Sequence, residues 1–159
     1  MRNLLVIAIA LFAFGCGQDK SAKEAEKDDP ALSFVANGTK EGIGKIKAAI
    51  AAGTPDDAMF SCAHMANLDT LKASNAHKAL AAELEQLCNA DLPLAVITKA
   101  VEKAEAARKA KPDEKVLSEC YSAELTVALD QMKKVNTQAN AKDALTRFAV
   151  VCPEASAKL

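Results

Sequence analysis

The chain has 159 residues, with 20 Lys and Arg against 21 Asp and Glu and a formal net charge of −1. So even a balance, with no basic block, excludes the electrostatic footprint of a nucleic-acid binder. Aromatic residues are sparse, with no Trp, one Tyr and five Phe, too few for a platform that stacks bases or sugars.

In chain order, Arg2 forms a short positive region and Leu4 to Phe14 an unbroken apolar run that ends at the small residue Gly15. That layout is a secretory signal covering residues 1–15. A run of about 11 residues rises only about half the depth of a ~30 Å hydrocarbon core, so it is too short to span one. Removing residues 1–15 takes away Arg2 alone and leaves a mature charge near −2. The stretch Ala13, Phe14, Gly15, Cys16 resembles the lipobox of bacterial lipoproteins, although Leu is usual where Ala13 stands and a small residue where Phe14 stands. The resemblance covers only this N-terminal segment. It implies that Cys16 receives a diacylglycerol and an acyl chain such as palmitate. The protein would then be anchored in the bacterial envelope, facing the periplasm or the cell surface. The rival is an ordinary signal-peptidase site built on Ala13 and Gly15, which leaves Cys16 a free thiol.

Residues 16–30 continue as "GQDKSAKEAEKDDP" after Cys16, mixing both charge signs with no large apolar side chain. Such a segment cannot offset its ordering entropy and is expected to be a flexible tether with an r.m.s. span of about 20 Å. A helical extension is the alternative, because "SAKEAEK" has good helix propensity.

From residue 31 to 159 a single all-α domain is expected, since Ala, Leu, Lys and Glu dominate and helix breakers punctuate rather than interrupt. The pattern predicts a bundle of five to six helices near 39–52, 55–72, 75–89, 92–110, 112–134 and 138–152. A short turn near 30–36 is closed by Asn37 and Gly38. Gly53 stops one helix, and Thr54 and Pro55 start the next ahead of Asp56 and Asp57. "TPDDAMFSC", from Thr54 to Cys62, matches "KPDEKVLSEC", from Lys111 to Cys120, with one residue inserted. The match suggests two tandem three-helix units, 43–91 and 93–153, against a coincidence of similar helix starts.

Four cysteines remain after Cys16, an even number in an exported chain. In an antiparallel helical hairpin, residues equidistant from the turn face each other. The midpoint of Cys62 and Cys88 is residue 75, and that of Cys120 and Cys152 is residue 136; both fall in predicted turns. Those coincidences pair Cys62 with Cys88 and Cys120 with Cys152, each bridge stabilising by roughly 3.5 kcal/mol on the chain-entropy model. A metal site is the competing use of four cysteines, but no CxxC or similar short ligand pair is present, and none is expected. Expected apolar faces carry Phe60, Leu68 and Leu71, then Leu80, Leu84 and Leu87, then Leu94, Ile97 and Val101. Further along they carry Val116, Cys120 and Val127, and finally Ala141, Leu145 and Phe148.

Candidate chemistry is thin. His64 and His77 stand at unequal distances from the turn, about 13 Å apart along the hairpin axis, too far to share a metal. Met59 and Met65 lack the CxxCH that would accompany a haem, and methionines at helical spacing pack cores. Ser61 and Ser118 have no nucleophile elbow around them, and "GTKEGIGK" lacks P-loop spacing. The expectation is a non-enzymatic, cofactor-free lipoprotein that binds an unidentified protein partner in the envelope and no nucleic acid. The alternative is a carrier of a small apolar ligand in a groove between helices, which calls for a cavity lined by Leu and Met. An enzyme using His64 ranks third.

Overall fold

The computed structural model describes residues 29–112, 117–134 and 139–157. The signal segment, Cys16, the tether up to residue 28, Val116 and the turn expected around residue 136 lie outside the described residues.

Helix α1 runs from Pro30 to Ala51 without a break. The expected stop at Asn37 and Gly38 does not occur. Asp29 caps the helix by accepting from the Ala31 N–H at 2.9 Å, with Pro30 in the first turn. Gly38 and Gly42 serve close packing instead of termination: a Cβ at Gly38 would lie 3.5 Å from the His64 ring, and one at Gly42 only 2.6 Å from it. The stop at Gly53 is as expected. Its φ is +70°, and the Thr54 and Gly53 N–H groups return to the Ala49 and Ile50 carbonyls at 2.9 and 3.1 Å, closing a Schellman turn.

The expected α-helix over 55–72 is instead a 3₁₀ segment, Pro55–Asn67, followed by a short α2, Leu68–Ala73. Thirteen residues is long for this conformation. A three-residue period sorts the side chains into three ridges. Pro55 and Ala58 are buried, and the same ridge continues through Ser61 to His64, whose ring faces α1. Met59, Cys62, Met65 and Leu68 pack on the core. Asp57, Phe60, Ala63 and Ala66 form the third ridge, all exposed. Phe60 is therefore 88% exposed and not in the core face expected for it.

Helix α3, Lys78–Gln86, passes into α4, Leu92–Ala110, through a π-turn at Leu87–Asp91, so the two helices expected at 75–89 and 92–110 are one helical run. Pro93 explains the π-turn, because it has no N–H to donate and its ring crowds the carbonyl four residues back. The Leu92 N–H reaches the Leu87 carbonyl, five residues back. Beyond α4, a single 3₁₀ turn at Ser118–Cys120 precedes α5, Ala123–Lys134, which starts well after the expected residue 112. Ser122 sets that start by accepting from the Leu125 N–H at 3.0 Å. The break resets the helical phase: Leu125, Ala128, Leu129 and Met132 are buried, and Val127, expected on the apolar face, is 47% exposed. Helix α6 spans Ala139–Val151, and α7, Pro153–Ser156, is one turn.

The result is an all-α bundle stapled by two disulfides, Cys62–Cys88 and Cys120–Cys152, each with a Cα separation of 5.7 Å. Helix α4 lies at its centre, against α5, α6 and the 3₁₀ segment. Ile46, Leu84, Leu92, Ile97, Leu125, Met132 and Phe148 are each no more than 1% exposed. Full burial of one such side chain contributes about 1.5–3 kcal/mol. A smaller cluster of Ala36, Leu71 and Ala81 closes the space under the first half of α1. No described helix is long and apolar enough to cross a membrane.

Candidate functional site

Cys16, the expected lipidation site, lies outside the described residues. The four other cysteines are brought together in the expected pairs. Cys88, Cys120 and Cys152 are buried, at 1%, 6% and 2% exposure, whereas Cys62 is partly exposed. Both bridges begin in a 3₁₀ segment and end in or beside a helix that leads back across the core.

His64 follows Ser61 by three residues on one ridge of the 3₁₀ segment. Its ring sits in the notch that Gly38 and Gly42 leave on α1, and His77 stands immediately before α3. No cluster of three or more His, Cys, Asp or Glu side chains suited to a metal ion occurs among the described residues.

A cleft of about 410 Å³ opens between α4 and the start of α5, with Asp56, Lys99, Lys103, Ser118, Glu119 and Glu124 on its walls. Lys99 Nζ donates to Asp56 Oδ2 at 3.0 Å, tying the middle of α4 to the first turn of the 3₁₀ segment. Ser118 Oγ donates to Glu119 Oε2 at 3.2 Å, and the Ser122 hydroxyl is used as a helix cap. No histidine stands among the described residues of the wall. A second cleft, of about 400 Å³, lies on the other side of Lys99 against Ile50, Pro55, Leu94 and Thr98. The Leu and Met side chains that a carrier cavity would need are largely in the packed core instead.

Among the described residues, two surface groups are shifted by an ion-pair partner. The Lys45 ammonium, hydrogen-bonded at 2.7 Å, holds the Glu41 carboxyl below its ordinary range, with a smaller contribution from His64. Glu105, 3.0 Å from Arg147, raises that guanidinium further. Neither group lies in the 410 Å³ cleft.

The most distinctive feature of the surface is aromatic. Phe34 on α1 is 81% exposed and Phe60 on the 3₁₀ segment 88%. Helical periodicity on α1 carried the signal for Phe34, which lies opposite the buried Ala36, Ile43 and Ile46. For Phe60 the signal lay in its offset from Cys62: two positions apart, the pair stand on nearly opposite sides of a helix, so a bridged, inward Cys62 turns Phe60 outward. Comparison with family models, with curated proteins and with solved structures finds no match to this chain.

Proposed function

We propose that this protein is a non-catalytic lipoprotein of the bacterial envelope, anchored by acyl chains on Cys16 and facing the periplasm or the cell surface. Its stapled helical domain docks a protein partner through the exposed rings of Phe60 and Phe34. The observation that carries the reading is the exposure of these two phenyl rings, 88% and 81%. Leaving a phenyl ring in water forgoes about 1.5–3 kcal/mol of burial, and aromatic anchors dominate the energetics of protein interfaces. The signal segment and Cys16 support the location through their resemblance to the lipoprotein signal. The charged walls of the 410 Å³ cleft favour docking over carriage of an apolar ligand. Cys62 and Cys120, the first cysteines of the two disulfides, each lie in a 3₁₀ segment, and this parallel supports reading the halves as repeated units.

The test is crosslinking in membranes with the intact lipidated protein. The wild type should give a discrete adduct and Phe34→Ala/Phe60→Ala should lose it while keeping its unfolding midpoint. An adduct that survives the double substitution sinks the reading.

A further inference from the structure

We propose that the Cys62–Cys88 disulfide is a latch on the rotational register of residues 55–67: closed, it holds Phe60 in solvent, and opened by a dithiol it lets Phe60 turn into the core. The first support is azimuth. In an α-helix Cys62 stands about 200° round the axis from Phe60, and in a 3₁₀ helix about 240°. A bond to Cys88, which is 1% exposed, draws Cys62 inward and so turns Phe60 outward in either conformation.

The second support is local preference. "DDAMFSCAHMAN" is rich in Ala and Met, residues that favour the α-helix, and at α spacing Phe60, His64, Leu68 and Leu71 share one face. Leu71 is already fully buried and Leu68 packs on the core, so that face is the one the following helix α2 presents inward. The 3₁₀ form sets aside this shared face for a ridge of Asp57, Phe60, Ala63 and Ala66. Thirteen residues span about 26 Å as 3₁₀ and about 20 Å as α, so release shortens the segment as it rotates it.

The third support is access. Cys62 is the one bridged cysteine that is partly exposed, and both sulfurs of the second bridge belong to buried residues. A thiolate of the dithiol attacks Cys62 Sγ, the S–S bond breaks, and Cys88 Sγ leaves as a thiolate that takes a proton from water. The second thiolate then attacks the dithiol's own sulfur in the mixed disulfide and releases Cys62, which is protonated in turn. Two electrons pass to the cysteine pair, and the dithiol becomes a disulfide.

The chain contains no Trp, so Phe60→Trp makes a single-site reporter. Tryptophan emission and iodide quenching are compared between Phe60→Trp and Phe60→Trp/Cys62→Ser/Cys88→Ser, with far-UV circular dichroism on both. The latch predicts a blue-shifted emission and a several-fold fall in the quenching constant in the triple variant, with the helical signal retained or raised. Adding dithiothreitol to folded Phe60→Trp should produce the same change at the rate at which two thiols appear. Unchanged quenching overturns the proposal. So does loss of the helical signal, because the bridge then maintains the fold and not the register. No partner enters this experiment, so its failure leaves the docking proposal standing, and failure of docking leaves the latch intact.

Discussion

At Gly42 an added Cβ would come within 2.6 Å of His64 Cδ2, and at Gly44 it would meet nothing within 4 Å. Both glycines lie inside α1, where replacing Gly by Ala favours the helix by about 0.8–1 kcal/mol. Gly44→Ala should therefore stabilise by about that amount in urea denaturation. Gly42→Ala should fall at least 1 kcal/mol or so below it, since the ring must leave its notch. Adding His64→Ala should restore the missing gain, and a purely additive double variant would contradict the contact. One turn away, Lys45 holds the Glu41 carboxyl below its ordinary range. A depressed folded pKa makes the ion pair stabilising above the carboxyl's unfolded pKa, and that contribution is lost as pH falls through the folded value. Carboxyl NMR should accordingly show the Glu41 midpoint rising toward the ordinary value in Lys45→Ala.

Among the elements, the two disulfides close loops of similar length, 26 and 32 residues apart in sequence, and chain entropy alone assigns each about 3.5 kcal/mol. Their surroundings differ. Cys120 and Cys152 join two ends of the core around Leu117, Phe148 and Ala155, all buried. Cys62 joins a segment whose local preference opposes its conformation. Cys120→Ser/Cys152→Ser should thus lose about 3.5 kcal/mol in denaturation, whereas Cys62→Ser/Cys88→Ser should lose measurably less, because burial of Phe60 offsets part of the cost. Equal losses would count against any change of register. The start of α5 rests on Ser122, and Ser122→Ala should destabilise by about 1 kcal/mol, with faster amide exchange at Leu125.

For the whole molecule, the proposed anchor and the proposed docking side make separable demands. Cys16→Ser should move the protein from the membrane fraction to the soluble fraction without altering its unfolding midpoint, since the charged segment after Cys16 has no large apolar side chain to bury. A variant that remains in membranes would identify a hold other than lipid. The domain needs its staples because its core is thin. Ala supplies many of the buried positions, among them Ala81, Ala104, Ala128 and Ala141, so each helix contact removes less apolar area than a Leu contact would. Phe148 is the largest fully buried side chain among the described residues, and Phe148→Ala should cost about 3–5 kcal/mol, a large share of the roughly 5–15 kcal/mol that holds an ordinary domain folded.

The sequence by itself determined the all-α class, the Schellman stop at Gly53 and the pairing of four cysteines. Each rests on a local or symmetric relation: residue composition, glycine's access to positive φ, and equal distances from a turn. Tertiary structure alone decided that residues 55–67 take the 3₁₀ form and that Gly38 does not end a helix. Those outcomes depend on contacts with distant residues, His64 lying in the notch of α1 and Cys62 tied to Cys88. For residues 55–67 the difference between 3.6 and 3.0 residues per turn is small in local free energy, so packing and one covalent bond choose between them. That choice sets which side chains the molecule shows to solvent.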